Sequence, residues 1–318
     1  MEPFRILVVR LSAMGDVIHA LPAVASLKHS FPRSRLSWVI RPRWIPLIAT
    51  NPFVDEIIPL ERNFSGIRQA WRHLRAGTFD LAVDFQGLIQ SALVAASSRA
   101  ARIVGFHRSQ AWEGLAALFY STEVTATAPH IVDRNLELVA ASGASNIVRA
   151  FPLPDGAPEG DLPDGKFILA SPFAGWTAKQ WPLERFGELA RRLDLPLVLN
   201  GAPDSADRLR SVPGARVHIS SLAGLIDATR RAHAVIGVDS GPMHLAAALS
   251  KPGVAIFGAT DPARNGPYGG SLRVLRHPSA STTYKRNAHD RDMRAISAAQ
   301  VAQALAAVLE SKPAGCSA

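Results

Sequence analysis

This 318-residue sequence predicts an α/β protein built as two doubly wound domains. Three observations lead there. Short all-apolar runs alternate with helix-patterned segments along nearly the whole chain, as buried parallel strands and their crossover helices do. The alternation stops once, over 153–165, where Pro, Gly and Asp displace any apolar period, and then restarts. No tandem repeat at a solenoid period is present. The expected layout is a domain at 1–152, a linker at 153–165 and a domain at 166–318, with the two sheets facing a central cleft.

In the first half, Ile6-Leu-Val-Val9 reads as a strand covered on both faces. It feeds Leu11-Ser-Ala-Met-Gly-Asp16 and a helix over 17–28 that Pro32 closes off. Strands follow at 36–40 and 56–58, then an amphipathic helix over 68–75 with a strongly basic face. A strand at 81–84, a helix at 88–96 and a strand at 102–104 continue the alternation. The second half reads as strand 167–170, helix 183–193, strand 197–199, helix 206–210, strand 217–219 and helix 222–232.

The most informative stretch runs from Ala234 to Leu249. Its apolar run breaks at Asp239-Ser-Gly241, and a helix opens at Pro242, where a helix tolerates proline best. Such a turn aims backbone N–H groups and the positive end of a helix dipole at the strand's carboxyl edge, which suits phosphate. A strand at 254–257 ends in Gly258-Ala-Thr-Asp-Pro262 on the same edge. Two loops at one crevice point to a nucleotide or nucleotide-sugar. An alanine-rich helix at 297–309 closes the pattern and is expected to pack back toward the first domain.

Composition narrows the partners. Hydrophobic residues make up 47% of the chain, enough to fill two cores. The 35 Lys+Arg against 26 Asp+Glu leave +9, with a sequence pI near 10.4. That excess attracts polyanions: nucleic acid, anionic lipid or phosphorylated glycolipid. Aromatic residues are only 7% and no basic stripe is interleaved with them, so nucleic acid is not expected. The one cysteine, Cys316, allows no internal disulfide and fits a reducing cytoplasm. The apolar run near the start is too short for a secretory signal and no run reaches a membrane span, so membrane contact is expected to be peripheral.

Several residues carry candidate chemistry, each beside a plainer reading. Asp16 ends the first strand's loop and fits either a base that accepts a proton from a hydroxyl or an N-cap for the helix from Val17. Gly15 before it permits an unusual backbone angle, and Ser12 is placed to cap or donate locally. The loop lacks the three spaced glycines of a dinucleotide fingerprint, which disfavours hydride transfer. Lys179, between Trp176 and Trp181, either packs its stem while its ammonium reaches a diphosphate or is a solvated loop lysine. His244 fits a phosphate or ribose contact as well as a core histidine. His19, His29 and His73 have no metal-ligand spacing, and neither a metal nor a cofactor is expected. The mixed charges of 284–294 read as a solvated loop.

Ser12-Ala-Met-Gly-Asp16 with Leu21-Pro22, Val83-Asp-Phe-Gln-Gly-Leu-Ile-Gln-Ser91, Leu115-Ala-Ala-Leu-Phe-Tyr120 and His130 with Arg134 succeed one another along the first half. Lys179-Gln-Trp-Pro182, Val238-Asp-Ser-Gly241 with His244, and Gly258-Ala-Thr-Asp-Pro262 follow in the second. In this order and spacing the set resembles the heptosyltransferases of lipopolysaccharide inner-core synthesis, over nearly the full chain. The resemblance implies a GT-B fold, an ADP-heptose donor in the second domain and a Kdo-lipid A acceptor at the first. It implies Asp16 as catalytic base, and Lys179, Asp239, Ser240, Gly241, His244, Ala174, Gly175 and Ser220 as donor-binding. For the acceptor it implies Arg62, Arg134 and Arg72, beside Ser12 and Gly15, with Arg68 and Arg75 on the same basic helix. A monomer at the inner face of the inner membrane is expected. Three positions depart from the pattern: Trp112 replaces an acceptor-binding arginine, Ser205 a donor-binding glutamate, and Ser220 a methionine that lies against adenine. A relative adding the second heptose or a different sugar, a sugar-nucleotide epimerase and a non-enzymatic basic binding protein stay open as alternatives.

Overall fold

A computed structural model describes residues 3–283 and 290–311. Cys316 and positions 284–289 of the charged loop lie outside the described residues. The chain divides into two compact units, Met1–Pro154 and Asp155–Ala318.

In the first unit the elements run β1 (Arg5–Val9), α1 (Met14–Ser30), β2 (Arg35–Ile40), β3 (Glu56–Pro59), α2 (Phe64–Ala76), β4 (Leu81–Asp84), α3 (Ile89–Ser97), β5 (Arg102–Phe106), β6 (Thr122–Val124) and α4 (Ile131–Ala141). All the pairings are parallel, in the order β3-β2-β1-β4-β5-β6. Ile6, Leu7, Val8 and Val9 are each 0% exposed, which is why β1 carries no alternation: helices cover both its faces. Chain order reverses between β1 and β4, and open sheets of this kind hold ligands outside the carboxyl ends at such a reversal.

The second unit repeats the plan with β7 (Ile168–Ser171), α5 (Leu183–Ala190), β8 (Leu197–Gly201), α6 (Ala206–Arg210), β9 (Arg216–Ile219), α7 (Leu222–Arg231), β10 (Ala234–Val238), α8 (Gly241–Ala248), β11 (Gly253–Phe257), α9 (Pro262–Asn265), β12 (Leu272–Arg276), α10 (Arg291–Arg294) and α11 (Ala298–Glu310). Its parallel order is β12-β11-β10-β7-β8-β9, with the reversal between β7 and β10. Trp181 and Phe186 meet edge to face at 4.9 Å inside this core, and the Trp181 indole N–H donates to the Ile296 carbonyl. Trp181 is therefore a core residue rather than a flank for Lys179.

Several elements are additional to the sequence expectation: β6, α4, β12, the short helices α9 and α10, and 3₁₀ turns at Pro42–Leu47 and Gly114–Phe119. Arg291–Arg294, expected as solvated loop, is one of those short helices. The closing helix α11 packs on α5, β11 and β12 of its own unit. Residues 153–165 form no regular element but are not loose throughout. The Glu159 carboxylate accepts from the Ser221 N–H at 2.6 Å and the Ser221 hydroxyl at 2.5 Å, at the start of α7. The Ala157 N–H donates to the Ala223 carbonyl at 3.1 Å.

Candidate active site

In the first unit the reversal point gathers Arg10, Asp16 and the loop after β4. Helix α1 opens at Met14 with Ala13 as its N-cap, so Asp16 is the third helical residue and not the cap. Its carboxylate accepts from the Ala13 N–H at 2.9 Å, a bond that satisfies an orphan donor of the helix start. Its other oxygen pairs with the Arg10 guanidinium at 2.7 Å, while the side chain stays 43% exposed. Gly15 is an ordinary first-turn residue and carries no positive φ.

Arg10 is buried at the end of β1 and held on three sides. The indole N–H of the fully buried Trp38 donates to its carbonyl at 3.1 Å. Its guanidinium donates to the Phe85 carbonyl, and the next amide, Leu11 N–H, donates to Gln86 Oε1 at 2.8 Å. The loop after β4 is fixed in turn by Asp84, 0% exposed, which accepts from the Gln86 N–H at 2.8 Å, Ser91 hydroxyl at 2.8 Å and Tyr120 hydroxyl at 2.7 Å. Burial pushes the Asp84 carboxyl above its ordinary range, partly offset by those bonds, and burial beside Asp84 also raises the Tyr120 phenol.

Beside this clamp lies a groove of about 720 Å³ lined by Ser12, Ala13, Arg41, Arg43, Arg62 and Trp44 among others. Arg41 is fixed by donation to the Leu60 carbonyl at 2.8 Å and to Gln90 Oε1 at 3.0 Å. Burial, and then the nearby charge of Arg62, lower the Arg41 pKa. Like charges held together in this way are relieved by an anion. Arg72 stands exposed on α2, and Arg134, on α4, donates its Nε to the Ala128 carbonyl at 2.7 Å. Neither is among the residues lining the groove.

In the second unit the loops after β7, β10 and β11 converge on Asp239. Its carboxylate is 7% exposed as a residue and accepts from the Lys179 ammonium at 2.7 Å and the Thr260 hydroxyl at 2.5 Å. His244, in the first turn of α8, brings Nε2 to 3.8 Å. Burial alone pushes the Asp239 carboxyl up. The hydrogen bond from His244 and the charges of Lys179 and His244 outweigh it and hold the carboxyl well below the usual carboxylate range. Lys179 sits in a 3₁₀ turn (Thr177–Lys179) with its ammonium 4.6 Å from the Trp176 ring centroid, so it is a fixed charge and not a solvated loop lysine. One Asp239 oxygen thus takes both Lys179 and Thr260, and the other faces His244.

Helix α8 starts at Gly241; Pro242 has no N–H, and Met243 and His244 donate theirs to the Ser240 carbonyl at 3.1 and 3.3 Å, which leaves the Ser240 and Gly241 amides at the mouth of the turn. Next to them the Ser240 and Ser171 hydroxyls are buried with no hydrogen-bond partner among the described residues. Buried hydroxyls are normally satisfied, so this edge is arranged for a polar group to arrive. Ala174 and Gly175 lie on the loop after β7, where the Gln180 amide bonds the Ala174 carbonyl at 2.8 Å, and a Cβ at Gly175 would meet open space. Ser220 accepts from the Asn200 amide at 3.0 Å at the end of β9. Sequence reasoning missed Arg10, Arg41, Thr260, Asp84 and Tyr120. A charge that ends an apolar strand was the available signal for Arg10 and Arg41.

Two doubly wound parallel units with polar residues at both reversal points define the GT-B class. The chain belongs to glycosyltransferase family 9 (heptosyltransferase), whose profile matches residues 67–293. It is 31% identical to lipopolysaccharide heptosyltransferase 1 of Pseudomonas aeruginosa, covering 84% of this chain and 82% of that protein. The Escherichia coli K12 protein of the same name is 29% identical over 86% of this chain and 94% of its own. Among solved structures, Escherichia coli heptosyltransferase WaaC with ADP is 27% identical with a TM-score of 0.78, covering 96% of this chain and all of that one. The chain is a glycosyltransferase.

Proposed function

We propose that this glycosyltransferase moves heptose from ADP-heptose to a Kdo residue of Kdo-lipid A, with inversion, at the cytoplasmic face of the inner membrane. Asp16 accepts the proton of the acceptor hydroxyl as its oxygen bonds the anomeric carbon. The bond from that carbon to the β-phosphate oxygen breaks on the opposite side, and ADP leaves. The charge developing on the diphosphate is met by Lys179 and by first-turn amides of α8 around Ser240 and Gly241.

The observation that carries the acceptor assignment is the arginine groove beside Asp16. Arg41, Arg43 and Arg62 line it with Ser12 and Ala13, against one acidic residue, Glu61, and Ala13 is bonded to Asp16. Kdo is a carboxylated sugar and lipid A is phosphorylated, so both supply the anions that such a groove selects. The donor assignment rests on family membership together with the Asp239-held Lys179 beside the unpartnered Ser171 and Ser240 hydroxyls.

The test is incubation of pure protein with ADP-heptose and either Kdo-lipid A or an acceptor already carrying one heptose, with mass analysis of products. One added heptose on the first acceptor and none on the second is the expected result; the reverse overturns the acceptor assignment. Asp16→Ala is expected to lower kcat by about 10²–10⁴-fold while ADP affinity stays within a factor of about two. Near-normal turnover in that variant would falsify the base assignment.

A further inference from the structure

Helix α2 carries a surface that the transfer chemistry does not use. It buries only Gly66, Ala70 and Leu74, a narrow strip of mostly small side chains against its own unit. Phe64, Ile67 and Trp71 point outward, 81%, 44% and 48% exposed. At about 100° per residue these three fall within about 60° of one another, and Arg75, Arg68 and Arg72 occupy the adjoining sector. The helix holds no acidic residue. No ion pair takes up Arg68 or Arg72 among the described residues, and Arg75 lies over the Trp71 ring at 4.8 Å.

The neighbouring elements extend the same character. Helix α3 packs against both α2 and the 3₁₀ turn Gly114–Phe119. It exposes Leu93, and the turn exposes Leu115 and Leu118. Of the ten exposed large hydrophobic side chains among the described residues, seven lie on these three elements or at Trp112 just before the turn. Scattered singly they would need no explanation; gathered on adjoining elements they mark a surface that meets an apolar phase.

We propose that this face of the first unit seats the enzyme on an anionic bilayer, with Phe64, Ile67, Trp71, Leu115 and Leu118 entering the headgroup–acyl boundary and the α2 arginines engaging lipid phosphates. The proposal rests on the reading above that the acceptor is carried in a membrane. Charge decides between a bilayer and a second copy of the chain. A twofold interface on this face would bury the α2 arginines of both copies with no acidic residue of the helix to pair them, whereas anionic headgroups neutralise them. Aromatic side chains beside arginines whose stems lie along the apolar boundary are the composition that binds in the interfacial plane. No helix of the described residues is long and apolar enough to span, so this face supplies contact without insertion across the bilayer.

The test is flotation of the full chain, without donor or acceptor, on phosphatidylethanolamine vesicles containing about 30 mol % phosphatidylglycerol and on phosphatidylcholine vesicles. Binding is expected on the anionic vesicles, weak on the neutral ones, and reduced by added salt. The triple variant F64S/I67S/W71S, whose side chains are exposed and leave the core intact, is expected to lose about tenfold or more in vesicle binding. It should lose transfer to vesicle-embedded acceptor to a similar degree, with transfer to a deacylated, water-soluble acceptor unchanged. Flotation of the triple variant like the parent overturns the proposal, as does equal binding to neutral vesicles. So does sedimentation showing a dimer of the parent that the triple variant abolishes. Vesicle binding without transfer to the deacylated acceptor would remove the acceptor reading and leave the surface standing.

Discussion

Arg10 decides where the Asp16 carboxylate points. A carboxylate with 43% of its side chain exposed samples many rotamers unless something fixes it, and here a buried guanidinium does so at 2.7 Å. Arg10→Met removes that hold and also strands the Phe85 carbonyl, which accepts from the same guanidinium. The expected outcome is a fall in kcat of about 10–100-fold with donor KM little changed, and about 1–3 kcal/mol of lost stability. Arg10→Lys should recover part of the rate, because an ammonium serves one partner well but not both. Steady-state kinetics alongside urea unfolding separates the two effects.

Lys179 and Asp239 form the corresponding unit in the second sheet. Lys179→Met leaves the Asp239 carboxylate buried with only Thr260 and His244, at a cost of about 3 kcal/mol. Because the Asp239 carboxyl is held below its unfolded value, the stability it contributes is fully present above about pH 4. That contribution is lost as pH falls through the unfolded value toward the lower folded one. Urea unfolding of the parent and of Asp239→Asn should therefore differ by a constant amount from pH 7 to about pH 5, and the difference should shrink below about pH 4. A difference that grows on acidification would contradict the direction of the shift.

At the scale of elements, the position of α8 is set by Gly237 in β10. A Cβ there would lie 2.8 Å from Met243 Cβ and 3.4 Å from Met243 Cα, in the helix's first turn. Gly237→Ala is expected to cost about 1–3 kcal/mol and to weaken ADP binding as the turn at Ser240 shifts, which calorimetric titration would measure. The strands that sequence reasoning found are those like β1 and β10, buried on both faces and so written as unbroken apolar runs. Those it missed lie at sheet edges. Strand β6 has three residues, and β12 places Arg273 and Val274 in solvent, so neither shows the pattern. Helix α4 was hidden by Asn135, a polar residue on its buried face whose amide donates to the His19 carbonyl at 3.0 Å, 116 residues away. The same limit applies at the sites. Asp16, Lys179 and Asp239 stood out because they end strands or open helices. Of the residues that hold them, Arg10 showed only as a charge ending an apolar run and Thr260 only as a member of a loop; what each of them holds became visible once neighbouring strands were in register.

At the scale of the molecule, each unit has its own parallel sheet and its own core. The fragment 155–318 contains every residue of the Asp239 cradle, so it is expected to fold alone and to bind ADP within about tenfold of the full chain. Calorimetric titration of that fragment checks this; a fragment that fails to bind would show that the cradle depends on the first unit. Residues 155–160 belong with it. Their composition is that of a spacer, yet Glu159 and Ala157 are laced onto the start of α7. A protease needs a stretch of chain that can be drawn out into its groove, and these tethers deny it one. Limited digestion should spare that Pro- and Gly-rich stretch until α7 itself frays, and a charge-neutral Glu159→Gln variant should be nicked there sooner.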